Sequence, residues 1–345
     1  MSQYGQCLGD QNLPIEIRPI PAVPAGLIEA ATRTTLVPFV GAGVSQLAGC
    51  PRWSEFADRA LDSLVAQKAL TAAQRSQLGG LSPRVKLSVA KLTARRKGVT
   101  IDYRGILQKT KDWSADPDGR RVYSHISALS SKFVTTNYDE WLDIALPPFE
   151  LSPEQPKTKT DRREEQRRTK LHLPSEITAD NFLPPNTVVH LHGALADQEN
   201  MVLSTSDYIR RYANDRRREE GDEENQVLRF LEFLFREKTV LFLGYGLEEL
   251  EILEYVVMKA RGTARQRNVA QHYLLQGFFS FEAEICASLQ DYFLQECGIE
   301  LIPFSRDEKD WMQLIDVLES FAKALPTNDE LVVQQLAEME ELARG

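Results

Sequence analysis

Four short segments carry residue types that could do chemistry, each at the end of an apolar run. The first is Gly41-Ala42-Gly43-Val44-Ser45, which follows directly on the apolar run Leu36–Val40. A buried strand running into a G-x-G turn lets the backbone reverse tightly and aims the amides of the next helix N-terminus at an anion such as a pyrophosphate. Ser45 adds a hydroxyl that can reach phosphate or ribose. Gln46 occupies the place of the third glycine in the full dinucleotide fingerprint, so the turn alone is equally consistent with a plain strand-to-helix link.

The second segment is Thr135-Thr136-Asn137-Tyr138-Asp139, also directly after a strand-like run. Amide and carboxylate groups at the carboxyl end of a parallel strand point into the crevice where such sheets bind ligands. Both Asn137 and Asp139 are also common helix caps, here for a helix running through Leu146. The third segment is His190-Leu191-His192-Gly193. Residues i and i+2 share a strand face, and two imidazoles could mean metal, but the sequence offers no obvious further ligands. An acid/base role for His192, beside a glycine that clears room for substrate, fits better, with His190 as support. The fourth is Leu243-Gly244-Tyr245-Gly246, a second glycine turn offering close backbone approach.

The elements that must hold these segments are legible as short apolar runs. Leu36–Val40, Lys132–Thr136, Thr187–Leu191, Thr239–Leu243, His272–Leu275 and Ile299–Ile302 are separated by lengths that suit helices. Strands apolar throughout imply parallel strands covered on both faces. The sequence therefore predicts an α/β fold, a Rossmann-like doubly wound parallel sheet with helical inserts and C-terminal helices. Residues 1–32, with Pro14, Pro19, Pro21 and Pro24, read as an N-terminal arm laid over a surface; 33–305 hold the sheet and the four segments, and 306–345 the C-terminal helices. Two inserts are expected, one helical at about 71–120 and one charged at about 150–185. The tract from Lys157 to Lys170 holds seven basic and three acidic residues, and is expected to be a solvated loop or exposed helix face.

Composition narrows the partners. The 345 residues carry 41 basic and 50 acidic side chains, a net charge of -9, which opposes direct nucleic-acid binding. Cys7, Cys50, Cys286 and Cys297 are scattered, with no C-x-x-C pair to grip zinc or cycle as a redox couple. No apolar run approaches the roughly 18 to 20 residues that cross a bilayer, and no leader-like segment opens the chain. The expectation is a cytoplasmic protein without membrane attachment.

Taken in order, Gly41-Ala42-Gly43-Val44-Ser45, Thr136-Asn137-Tyr138-Asp139, His192-Gly193 and Gly244-Tyr245-Gly246 resemble the sirtuin-like superfamily, and within it the bacterial sirtuin-like NAD hydrolases of antiphage defence. The resemblance spans roughly residues 33 to 305 and extends to Gly49-Cys50-Pro51-Arg52-Trp53 and Ser204-Thr205-Ser206-Asp207-Tyr208. The chain departs from the protein-deacylating sirtuins in lacking their four zinc cysteines, and Pro51-Arg52-Trp53 stands in place of their Asp-Phe-Arg segment. What the resemblance implies is an NAD glycohydrolase that takes NAD as substrate, with no metal expected. It makes Asn137 and His192 the catalytic pair, and assigns NAD binding to Gly41, Ala42, Gly43, Ser45, Asp139, Gly193, Gly244, Tyr245 and Gly246, Asp139 contacting the nicotinamide or orienting the site. The implied role is an effector that depletes NAD in an infected cell, restrained by a homo-oligomer, a covering segment or a partner such as a HerA-type ATPase. NAD-dependent protein deacylation or ADP-ribosyl transfer, and a non-catalytic scaffold that senses NAD or ADP-ribose, are the alternatives.

Overall fold

A computed structural model describes residues 16–108, 117–146, 167–212, 225–246 and 271–326. The elements follow the alternation of apolar runs and amphipathic stretches. In the first half they are α1 (Ala25–Thr32), β1 (Leu36–Val40), α2 (Ala42–Leu47), α3 (Trp53–Ala66), α4 (Ala72–Gln77), α5 (Pro83–Lys97), α6 (Tyr103–Leu107), α7 (Pro117–Leu129) and β2 (Lys132–Thr135). Next come β3 (Thr169–Leu171), α8 (Ala179–Phe182), β4 (Thr187–His190), α9 (Thr205–Tyr212), α10 (Gln226–Glu237) and β5 (Thr239–Leu243). After β6 (His272–Phe278) and β7 (Ile299–Ser305), whose link contains the helix Ala283–Tyr292, the helix Gln313–Ala324 closes the described chain.

The seven strands among the described residues form one all-parallel sheet in the order β3-β4-β2-β1-β5-β6-β7. From β1 the chain builds outward on one side, then crosses to begin again at β5 on the other. The switch point therefore lies between β1 and β5, the place where doubly wound sheets leave a crevice at the strand carboxyl ends.

Strand periodicity explains why these runs carry no polar face. Leu36, Val40, Phe133, Val188, Leu241 and Leu243 turn to one face, where α1, α7 and the helix Gln313–Ala324 cover them. Val37, Phe39, Val134, Val189, Val240 and Phe242 turn to the other, under Phe230 and Leu234 of α10. Each alternate residue meets a different core, so both must be apolar. A third core joins α3, α5 and α6 with Tyr138, Leu195, Met201 and Leu203 from the loops after β2 and β4.

Three expectations about boundaries change. Residues 25–32, assigned to the arm, form α1, and Leu27, Ala30 and Ala31 are buried in the sheet core. Prolines 19, 21 and 24 all precede that helix, where a missing amide costs nothing. The helical insert ends before α7, whose Val122, Tyr123, Ile126 and Leu129 pack on the sheet as a crossover helix. The tail of the charged tract is neither loop nor exposed helix. It forms the edge strand β3, and its Arg168 is buried over the Phe133 ring at 4.3 Å, donating to the carbonyls of Leu142 and Ile144 at 2.8 and 2.7 Å. Burial lowers the Arg168 pKa to about 10. Residues 1–15, the earlier part of the charged tract at 157–166, and the part of the expected C-terminal helices at 327–345 lie outside the described residues.

The two glycine turns meet at the switch point. The Gly43 amide donates to the Gly244 carbonyl at 2.8 Å. A Cβ on Gly43 would lie 2.8 Å from that oxygen and 3.0 Å from the Gly244 Cα. Backbone cannot yield as a side chain can, so Gly43→Ala should destabilise the fold by about 1–3 kcal/mol, while Gly80→Ala, with open space around its Cβ, should stay within about 0.5 kcal/mol of the parent. Chemical denaturation of the two variants checks this; equal midpoints would remove the steric argument.

Candidate active site

Parallel register carries the four sequence segments to one edge. Val40 lies opposite Thr135 on one side and Leu243 on the other, and Thr135 lies opposite His190. The next residues, Gly41, Thr136-Asn137, Leu191-His192 and Gly244, therefore leave the sheet together at its carboxyl end. A crevice lined by these loops is where the fold places ligands.

The glycines are demanded by contacts within the chain before any ligand is considered. Gly41 has an extended backbone open to any residue, but its Cβ would sit 2.7 Å from both the Gly244 carbonyl oxygen and the Tyr245 ring. Gly244 has φ +63°, and a Cβ there would lie 2.5 Å from the Val44 amide nitrogen. Gly193 has φ +84°, with its Cβ direction blocked at 2.7 Å by the Asn200 carbonyl. The room it makes is for the 200–201 backbone, whereas the sequence reading gave that room to substrate. Gly246 is exposed, and a Cβ there would meet none of the described residues within 4 Å. Ala42 opens α2, partly exposed.

Tyr245 is a closing plug. It is buried, packs edge-on to Phe39 and Phe242, and its hydroxyl bonds Thr136 Oγ1 at 2.9 Å. Ser45 is likewise engaged, donating to Asp139 Oδ2 at 2.5 Å. Asp139 Oδ1 accepts from the Tyr123 hydroxyl at 3.1 Å and from the Trp141 amide at 3.3 Å. Burial raises the Asp139 pKa despite these donors, and raises that of Tyr123 well above its ordinary value. Asp139 thus clamps α2 and α7 onto the loop after β2. The expected helix through Leu146 is replaced by a single 3-10 turn, Trp141–Asp143, so neither Asn137 nor Asp139 caps an α-helix.

Asn137 is buried with a settled orientation. Its Nδ2 donates to the Gly41 carbonyl at 2.8 Å, and its amide donates to Thr135 Oγ1 at 2.9 Å. A carbonyl partner requires the NH₂ end, which leaves Oδ1 as the acceptor with no partner among the described residues.

His192 sits just past β4, in a wall of rings. Tyr208 and Tyr212 of α9 meet it edge-on at 5.0 and 6.0 Å, and Tyr138 lies at 6.3 Å, itself stacked on Trp53 at 6.0 Å. The residue keeps some surface, yet its ring nitrogens make no hydrogen bond among the described residues. Burial, then the charges of Arg211 and Arg84, push its pKa down to about 3, so the ring is neutral at ordinary pH. The wall is anchored from behind: Arg84 covers the Tyr208 ring at 4.1 Å, and Lys91 of α5 pairs with Asp207 of α9 at 2.8 Å.

His190 is fully buried. Its Nδ1 lies 3.0 Å from the Asn137 carbonyl oxygen and its Nε2 lies 2.8 Å from Asp143 Oδ1, while Lys170 of β3 donates to Asp143 Oδ2 at 2.7 Å. Asp143, Lys170, Tyr123, Tyr208 and Tyr212 were not singled out from sequence as site residues. Their partners lie on other elements; only the segment Ser204–Tyr208, through its resemblance, pointed at any of them.

Among the described residues no group of three His, Cys, Asp or Glu side chains is placed to hold a metal, and no helix is long and apolar enough to cross a membrane. A family model described as a SIR2-like domain matches residues 131–302. It takes in β2 to β6 and the start of β7, and it begins beyond the first glycine turn. No curated protein matches the chain. The family match supports a sirtuin-like family and fits NAD-dependent enzymes generally.

The low His192 basicity has a measurable consequence. Between pH 6.5, the ordinary imidazole value, and about 3, the unfolded chain binds a proton that folded His192 refuses. Stability from this group is present above pH 6.5 and lost as pH falls, with a slope of at most about 1.4 kcal/mol per pH unit. His192→Gln should show a smaller loss of urea stability between pH 7 and pH 5 than the parent does. An identical loss in both would contradict a buried neutral ring.

Proposed function

We propose that this chain hydrolyses NAD at the bond between nicotinamide and ribose, giving nicotinamide, ADP-ribose and a proton. The observation that carries the proposal is the fixed carboxamide of Asn137: with Nδ2 tied to Gly41, Oδ1 is an acceptor held at the switch-point edge, one strand from a neutral His192. Loss of nicotinamide develops oxocarbenium character at the ribose, so the enzyme gains by fixing the sugar and presenting a water. Asn137 Oδ1 orients that water or a ribose hydroxyl. His192, a neutral acceptor, receives a hydrogen bond from that water or from a ribose hydroxyl, which supplies the partner its nitrogens lack, and the proton released passes to solvent.

The SIR2-like match supports the choice of NAD. Trp53, Tyr138, Tyr208 and Tyr212 offer flat apolar surface of the kind that receives a planar heterocycle. The phosphate cradle is narrower than the glycine pattern suggests, because the Gly41 and Gly43 amides already donate to Leu243 and Gly244. The wider role we propose is NAD depletion in antiphage defence within the cytoplasm, held in check by self-assembly or by a partner of the HerA-type ATPase class.

Incubating the full chain with NAD and resolving the products by chromatography tests the reaction. Nicotinamide and ADP-ribose in equal amounts are expected, and Asn137→Ala or His192→Ala should each lower the rate by about 100-fold or more. Cyclic ADP-ribose in place of ADP-ribose would make the reaction a cyclisation. Products only in the presence of an acylated or acceptor protein would favour deacylation or ADP-ribosyl transfer, and binding without turnover would favour a sensing scaffold.

A further inference from the structure

We infer that His190 is a positioning residue that acts as an imidazolium: held by Asp143, it grips the backbone carbonyl of Asn137 and so fixes the Asn137 side chain against Gly41. The inference begins with a count of protons. An imidazole nitrogen facing a carbonyl oxygen must carry hydrogen, and the Asn137 oxygen, at 3.0 Å from Nδ1, can only accept. The other nitrogen, Nε2, faces a carboxylate oxygen of Asp143 at 2.8 Å. With acceptors on both sides, the ring satisfies them only when both nitrogens are protonated.

The same proton could sit on Asp143 Oδ1 instead, leaving a neutral ring. The surroundings oppose that. Asp143 Oδ2 receives the Lys170 ammonium at 2.7 Å, which favours the ionised carboxylate. Burial by itself would lower the His190 pKa and raise that of Asp143, but the mutual hydrogen bond and charge attraction outweigh it, so His190 is raised and Asp143 lowered. The charged groups around the pair are Asp139 on the same loop, the buried Arg168 guanidinium, whose charge also acts on Asp143, Lys170 of β3, and Glu140, which lies 3.6 Å from Lys170 and is paired to Arg104 of α6 at 2.8 Å.

The consequence is mechanical. From Asp143 through His190 to the Asn137 carbonyl, and from Asn137 Nδ2 to Gly41, one chain of bonds joins β4, the loop after β2 and the turn after β1. A charged donor holds a carbonyl about twice as strongly as a neutral one does. The proposed value of this for catalysis rests on the NAD-cleavage reading, but the charge and the grip do not.

The test is nuclear magnetic resonance of the full chain with ¹⁵N-labelled histidine, the five residues being His125, His172, His190, His192 and His272, and with His190 identified by its loss in His190→Gln. Both His190 nitrogens should remain protonated at pH 8, where an ordinary imidazole of pKa 6.5 is neutral by about thirtyfold. In Asp143→Asn the ring should become neutral and keep its proton on Nδ1. The Asn137 carboxamide protons, protected from exchange in the parent, should exchange at least about tenfold faster in that variant. A neutral His190 at pH 8 in the parent, or unchanged Asn137 protection in Asp143→Asn, would overturn the inference. Nicotinamide release is measured alongside. If the parent releases none while the resonance results hold, the NAD reading fails and the charged grip stands.

Discussion

The β1 and β5 turns can lie side by side only because neither carries a side chain where they touch. The Gly43 amide bonds the Gly244 carbonyl, Gly41 admits the Tyr245 ring, and Gly244 adopts a left-handed backbone against the Val44 amide. This contact sets the spacing of the two central strands at their carboxyl ends. Every loop of the candidate site is placed relative to it, because β2 is registered on β1, β4 on β2 and β6 on β5. Tyr245 then fills the space behind and reaches Thr136 with its hydroxyl, so the loop after β2 inherits its position from the same contact.

That loop carries Asp139 and Asp143 only four residues apart, and the fold gives them opposite environments. Asp139 is surrounded by hydroxyls and an amide, without a directly bonded cation, and burial raises its pKa. Asp143 meets the His190 ring and the Lys170 ammonium, and is held ionised. Asp139 acts as a structural knot joining α2 and α7; Asp143 acts through charge on β4. Asn137 is fixed at its carbonyl by His190, at its backbone amide by Thr135 and at its side-chain nitrogen by Gly41, which leaves Oδ1 without a partner among the described residues.

The helical region between β1 and β2 has a part in this as well. The core of α3, α5 and α6 receives Tyr138 from the β2 loop and Leu203 from the segment after β4. Arg84 and Lys91 of α5 hold α9 by its Tyr208 ring and its Asp207 carboxylate. The wall around His192 is therefore assembled from three separate parts of the chain, and the low basicity of that ring belongs to the assembly.

The sequence by itself determined the strands that lie deep in the sheet and the glycine turns that end them. A strand covered on both faces must be apolar at every position, and a turn at its end needs glycine, so Leu36–Val40 with Gly41 and Thr239–Leu243 with Gly244 are local patterns. Edge strand β3 was not legible, since only three residues form it, and Thr169 and Lys170 are not apolar. Helix α1 was hidden behind prolines that precede it. Only the tertiary structure decided what the glycines face, that Ser45 is tied to Asp139, and that His190 lies between two acceptors. The reason is distance along the chain: Ser45 and Asp139, or Asp143 and His190, come together only through crossovers of the sheet, and hydrogen bonds between such groups leave no periodicity or spacing behind in the sequence.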